Sequence, residues 1–268
     1  MSPVRFGFTS RKPRQTVPST TSRCSPWLTP LVYFVGGRIV LPGYFSQVTV
    51  KGQEHIPRSG PVILAPTHRA RWDSLVLPAV AGRIATGRDL HFMVTSDEVK
   101  GIQGWFIRRL GGFAVNVRSP SVSSLRHGIG LLQQGKMMVI YPEGGIFRDG
   151  QVHRLKPGLA RLALQAESQS MLGVKILPVS IHYDTPYPRW RSQVEIRVGP
   201  ALEVSSYLAN RGSDYTITSE CLKGKARRLT RDLADALIRV SQEEQMLSDE
   251  LLTIGSFLNQ DESRARTH

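Results

Sequence analysis

The sequence predicts an α/β fold, a mostly parallel central sheet flanked by helices. Three observations lead there. Short apolar runs, "PVILAP" (61–66), "KMMVI" (136–140) and "VKILPVSI" (174–181), have the length of buried strands. Between them lie stretches whose apolar residues recur at helical spacing, and strands alternating with helices imply parallel pairing with both faces covered. The chain has 268 residues, 40% of them hydrophobic, enough for one large core.

The elements follow in order. "QVTVKG" (47–52) alternates like a strand and stops at Gly52. "PVILAP" is a buried strand between prolines, and "DSLVLPAVAGRI" (73–84) a helix. "LHFMVTS" (90–96) and "GGFAVNVR" (111–118) are strands. "SPSVSSLRHGIGLLQQG" (119–135) sets Leu125, Ile129 and Leu132 on one helical face and places Gly135 as a stop. "KMMVIYPEGG" (136–145) is a strand and a turn, "KPGLARLALQAES" (156–168) a helix, and "VKILPVSIHY" (174–183) and "QVEIRVGPAL" (193–202) are strands. A last helix, over roughly 220–245, aligns Leu222, Ala226, Leu229, Leu233, Leu237 and Val240.

This organises the chain as a flexible basic tail over 1–26, a membrane-interfacial helical segment over 27–45, the main α/β domain over 46–245 and a C-terminal tail over 246–268. The first tail is rich in Ser, Thr and Pro, and no Asp or Glu precedes Glu54. Such a composition fits a disordered arm or an organelle transit segment equally. "WLTPLVYFVGGRIVLPGYF" (27–45) is the most apolar stretch. It approaches the ~20 residues a spanning helix needs, but Pro30, Gly36, Gly37, Arg38 and Pro42 interrupt it. A helix or helical pair lying in the membrane interface fits better, with Trp27, Tyr33 and Tyr44 as anchors. A core helix packed on the domain is the alternative.

The formal net charge is +14 and the sequence pI about 10.4. Such a surplus implies an anionic partner. Recognisable nucleic-acid motifs and repeated stacking aromatics are missing from the sequence, which turns the expectation towards an anionic membrane surface and phosphorylated substrates. The two cysteines, Cys24 and Cys221, have no metal or redox spacing, so a reducing compartment is expected. His91, His127, His153 and His182 are scattered without ligand spacing, and no metal is expected.

Chemistry concentrates in four places. In "APTHRARWDSL" (65–75), His68 stands five positions ahead of Asp73. On a regular helix that is an offset of about 140°, so the two meet only if the chain turns between them. A strand ending near Pro66 and a helix starting near Arg71 or Trp72 supply that turn. Asp73 then orients one nitrogen of His68 and leaves the other as a base; a surface histidine beside a helix-start aspartate is the plainer alternative. "YPEGG" puts Glu143, Gly144 and Gly145 at the C-terminal end of a buried strand, where open α/β sheets bind ligands, with Arg148 close behind. Arg118 ends "GGFAVNVR" and can grip phosphate. Pro178 interrupts "ILPVSI" and reads as a strand start or edge.

These four segments, in this order over roughly 48–198, resemble the motif blocks of the glycerolipid acyltransferase family. The branch they most resemble acts on 1-acyl-glycerol-3-phosphate, lysophosphatidate. The resemblance implies a glycerol-3-phosphate-acyltransferase-like fold. It implies transfer of a fatty acyl group from acyl-CoA or acyl-carrier protein to the free hydroxyl of lysophosphatidate, without a cofactor, metal or covalent acyl-enzyme. His68 would be the general base, Asp73 its orienting partner and Arg118 the holder of the acceptor phosphate. Glu143, Gly144 and Gly145 would shape that pocket with help from Arg148, and Pro178 would lie near the acyl or acceptor site. The expected setting is the cytoplasmic face of a membrane. The family often carries Gly-Thr-Arg after its Glu; here Arg148 is displaced by two positions, and Val117 stands where an acidic residue commonly precedes the second block's Arg. Another acceptor, glycerol-3-phosphate or another lysolipid, and a non-enzymatic basic protein binding membrane or nucleic acid are the competing readings.

Overall fold

The computed structural model describes residues 22–116, 121–208 and 220–242. The expectations for 1–21 and 243–268, and the one for Arg118, lie outside the described residues.

The strands are β1 (Gln47–Lys51), β2 (Val62–Pro66), β3 (Leu90–Thr95), β4 (Phe113–Val115), β5 (Met137–Val139), β6 (Lys175–Tyr183), β7 (Gln193–Val198) and β8 (Leu202–Glu203). They form one sheet in the order β1-β7-β6-β2-β5-β3-β4, with β8 also on β6. β2 pairs in parallel with both β5 and β6, and β3 with both β5 and β4. The predicted mostly parallel α/β sheet is what forms. Its departure is local: β6 turns back into β7, so those two pair antiparallel, as do β6 and β8.

The helices are α1 (Leu28–Val35), α2 (Leu41–Tyr44), α3 (Asp73–Ala81), α4 (Arg83–Thr86), α5 (Gly101–Arg109), α6 (Val122–Gln133), α7 (Gly158–Ser170) and α8 over 220–242. The strands read as unbroken apolar runs because alternate side chains enter two different cores. Val62 and Leu64 of β2 pack with Val76, Leu77 and Val80 of α3. Ile63 and Ala65 pack on the other face with Ile129, Leu162 and Leu229 from α6, α7 and α8. Each fully buried side chain of this size stabilises the fold by about 1.5–3 kcal/mol relative to exposure.

The segment 27–45 is helical, but not uniformly so. A π-helical stretch, Gly36–Val40, joins α1 to α2, and Leu41 N–H donates to Gly36 O. This wide turn directly precedes Pro42, whose ring nitrogen has no hydrogen to donate. Among the described residues no helix is long and apolar enough to cross a membrane. Residues 22–26, part of the stretch expected as a tail, are described. Arg23 N–H donates to Arg108 O at 3.0 Å and Ser25 N–H to Arg109 O at 2.8 Å, which lays Ser22–Pro26 on the end of α5.

Pro178 is not at an edge or a strand start. It lies mid-strand in β6, opposite Ala65 of β2. Its missing N–H falls where the other neighbour changes, from β8 at Lys175 and Ile176 to β7 at Val179–Tyr183. Pro178 O still accepts a bond from Gly199 N–H at 2.9 Å. The ladder is interrupted there, so proline costs it little. Helix α5 is not among the elements expected from the sequence.

Candidate active site

The ladder between β2 and β6 runs one residue beyond Pro66. Thr67 N–H donates to Val179 O at 2.9 Å, and Thr67 Oγ1 accepts from Ile181 N–H at 2.9 Å. The chain then leaves the sheet at its central strand, at the C-terminal end where α/β sheets bind ligands. α3 begins at Asp73, and the intervening loop folds back on that residue.

Asp73 is fully buried. Its Oδ2 accepts from Arg69 N–H at 2.7 Å and Ala70 N–H at 3.0 Å, and lies 2.7 Å from His68 Nδ1. The carboxylate accepts, so Nδ1 carries the proton and Nε2 the lone pair. Asp73 Oδ1 accepts the Tyr183 hydroxyl at 2.7 Å. Burial first, and then the Asp73 charge, push the Tyr183 phenol far above its ordinary pKa, so it stays a donor. The turn required by the five-position spacing is therefore made, and the carboxylate itself holds it shut.

The His68 side chain is 20% exposed. One face of its ring stacks on Tyr141, with centroids 3.9 Å apart and planes at 21°. The Tyr141 hydroxyl is buried and has no hydrogen-bond partner among the described residues. Burial, followed by the Asp73 charge, raises its pKa well above 10, so it too is a neutral phenol.

The turn after β5 encloses the His68 backbone. His68 N–H donates to Glu143 Oε2 at 3.0 Å, and His68 O accepts from Phe147 N–H at 2.9 Å. Glu143 is buried, and its Oε1 accepts from His153 N–H at 2.9 Å. Its carboxylate thus faces the protein and braces the loop that carries the histidine. Gly144 has φ +70°, and its carbonyl accepts from Lys156 Nζ at 3.4 Å. The positive φ is what favours glycine here; a Cβ at Gly144 would meet only the flexible end of the Lys156 side chain, which can move aside. Gly145 follows beside the Phe147 ring. Arg148 is exposed, its guanidinium 4.8 Å from the Tyr187 ring centroid.

Sequence reasoning leaves the roles of Arg69, Arg71 and Trp72 open, and the three separate cleanly. Arg69 is buried and donates to Gln151 O at 2.8 Å, to Phe147 O at 3.1 Å and to Glu143 Oε1 at 3.5 Å. It ties the first block to the Pro-Glu-Gly turn. Arg71 is exposed, 3.6 Å from Glu98. Trp72 lies 4.1 Å from the Tyr44 ring and 5.4 Å from Phe45, and Phe45 in turn is 5.9 Å from Tyr183. This aromatic wall joins the N-terminal helical segment to the tyrosine that holds Asp73. His68, Asp73, Glu143, Gly144 and Gly145 come together; Pro178 sits deeper in the sheet. Tyr141, Tyr183 and Arg69 complete the arrangement. Among the described residues no three His, Cys, Asp or Glu side chains are placed to hold a metal ion.

The family model described as Acyltransferase matches residues 47–182. No curated protein matches the sequence. Among solved structures, the 1-acyl-sn-glycerophosphate (LPA) acyltransferase PlsC from Thermotoga maritima is similar in fold, with a TM-score of 0.52 and 21% identity over 77% of this chain and 78% of that one.

Proposed function

The chain belongs to the acyltransferase family, and we propose that it transfers a fatty acyl group from acyl-CoA or acyl-carrier protein to the free hydroxyl of lysophosphatidate, giving phosphatidate at a membrane surface. The observation that carries this reading is the 2.7 Å contact between His68 Nδ1 and Asp73 Oδ2, with the ring part-exposed. In the proposed step Nε2 takes the hydroxyl proton as the alcohol oxygen attacks the thioester carbonyl. The C–O bond forms, the C–S bond breaks, and the proton on Nε2 passes to the departing thiolate. Asp73 stabilises the imidazolium in between. A thioester is reactive enough for direct attack by an activated alcohol, so the reading has no covalent acyl-enzyme and no cofactor. General-base help contributes typically about 10²–10⁴-fold, and holding both substrates in place adds more.

The acceptor is inferred from the family resemblance and from what the Thermotoga protein is described as acting on. Arg118, by resemblance, and the exposed Arg148 are the proposed grips for its phosphate. Exposed Trp27, Leu31, Phe34 and Ile39 support an interfacial seat for the segment 27–45.

The test crosses CoA and carrier-protein donors with lysophosphatidate, glycerol-3-phosphate and a larger-headed lysolipid, using one labelled acyl chain. Label is expected in phosphatidate, and His68→Ala is expected to lower the rate by about 10²–10⁴-fold. Undiminished transfer by His68→Ala overturns the catalytic reading, and label in another product reassigns the acceptor.

A further inference from the structure

Helix α5 has its apolar side turned outward. Ile102, Trp105 and Phe106 stand at i, i+3 and i+4, the spacing that ordinarily faces a core. All three are exposed, Ile102 at 80%. The inward contact is made by Gly104, where a Cβ would lie 2.5 Å from the Val99 carbonyl carbon. The glycine lets the helix lie on that backbone while its large apolar residues stay free.

The neighbouring helix behaves in the same way. Thr29 Oγ1 donates to Arg109 O at 3.3 Å, which joins α1 to the end of α5. α1 turns Leu31 and Phe34 outward, and Trp27, one residue before it, is 62% exposed. Trp27 and Trp105 share an open cavity of about 440 Å³ whose charged walls are Arg23, Arg108 and Arg109. Among the described residues no carboxylate lines it. The Arg109 guanidinium lies 4.4 Å from the Trp105 centroid. The helix α5 holds no acidic residue; Asp97 and Glu98 precede its N-terminus, paired with Lys100, Gln103 and Arg71.

We propose that α5 and α1 form one membrane-docking face. Ile102, Trp105 and Phe106 enter the boundary between head groups and acyl chains, and the three arginines hold anionic phospholipid head groups. Charge complementarity selects this occupant, because an all-cationic wall around two tryptophans matches an anionic lipid surface. The proposal extends the interfacial reading of 27–45 and rests on it.

The test is co-sedimentation of the whole protein with vesicles of phosphatidylcholine alone or mixed with phosphatidylglycerol. Wild type is compared with Ile102→Ser/Phe106→Ser and with Arg108→Gln/Arg109→Gln; the substituted side chains lie on the surface of α5, and a melting curve checks that the fold is kept. Each arginine near an anionic surface contributes about fivefold to partitioning, so the arginine pair is expected to lose roughly 25-fold on anionic vesicles and little on neutral ones. The serine pair is expected to lose roughly tenfold on anionic vesicles. Failure of wild type to bind anionic vesicles, or wild-type binding by either variant, overturns the proposal. So does a serine pair that keeps vesicle binding but turns a dimer into a monomer on a sizing column, which would make a second copy the occupant. Loss of vesicle binding with acyl transfer retained on short-chain soluble substrates supports it. Wild type that binds through this face yet acylates no acceptor also supports it, and refutes the proposed reaction instead.

Discussion

Tyr183 and Asp73, 110 positions apart, are joined by a 2.7 Å hydrogen bond that occupies the carboxylate oxygen His68 does not use. The bond exists because β6 lies beside β2, so a residue near the end of β6 reaches under the first turn of α3. Tyr183→Phe removes this donor and leaves the ring packed on Phe45. A hydrogen bond to a charged group contributes about 1.5–3 kcal/mol, so kcat is expected to fall roughly tenfold to a hundredfold if the full effect reaches the imidazole. KM for both substrates is expected to hold, because the hydroxyl positions Asp73 and touches no substrate. A steady-state kcat and KM comparison checks this; a raised KM with unchanged kcat contradicts it.

Arg69 is the joint between the two sequence blocks. Its planar fork reaches two carbonyls and the Glu143 carboxylate at once, a task that a single ammonium does not match. Arg69→Met leaves Glu143 buried without that cation and is expected to cost about 3–5 kcal/mol. Arg69→Lys keeps the charge and should fall between the two in urea denaturation. Equal stability of all three proteins would mean that the joint contributes nothing.

How far the sequence reveals this arrangement follows from the length scale of each feature. The central strands are visible because Val62–Ala65 and Met137–Ile140 fill cores on both faces, which leaves no polar position to blur the run. The His68–Asp73 contact is visible as a possibility, since Pro66 ends the strand and the spacing forces a turn. Which arginine is buried is not visible: Arg69 and Arg71 are the same residue type two positions apart, and only the return of the Phe147–Gln151 loop distinguishes them. Tyr183 gives no local sign, because its partner depends on strand order. α5 does carry a helical apolar stripe, Ile102, Trp105 and Phe106, but Gly101 and Gly104 interrupt so short a run, and only the fold shows that the stripe faces out while Gly104 makes the inner contact. The β6–β7 reversal depends on the turn over 184–192, whose Pro and Asp residues fit a hairpin and a crossover loop alike.

His91 gives the molecule an acid limit. Burial above all, aided by Lys136 and His127 and opposed by Asp89, lowers its pKa from 6.5 to about 4. Ser22 Oγ at 3.4 Å and Cys24 Sγ at 3.9 Å face its two ring nitrogens. Between pH 6.5 and 4 the unfolded chain binds a proton that the folded chain does not. Stability is therefore expected to be intact above pH 6.5 and to decline as pH falls towards 4, by up to about 3 kcal/mol. Urea melts at pH 7, 5.5 and 4.5 check this, with His91→Gln expected to flatten the profile. An unchanged slope in the variant would assign the acid loss elsewhere.

Tyr141 separates packing from polarity beneath the His68 ring. Its aromatic face supports His68 at a centroid distance of 3.9 Å, while its hydroxyl is buried without a partner among the described residues. An unpaired buried hydroxyl costs about 1–3 kcal/mol on the scale of protein substitutions. Tyr141→Phe keeps the stack and removes the orphan, so the melting temperature is expected to rise by a few degrees, as about 1 kcal/mol produces in a domain of this size. Its kcat is expected to stay within about twofold of wild type, since general-base catalysis depends on the ring's position and not on the lost oxygen. Tyr141→Leu should lower kcat more, because the imidazole loses its flat support and turns more freely about its bond to Asp73. A large loss of activity in Tyr141→Phe at unchanged stability would instead make the hydroxyl a direct contact of the substrate.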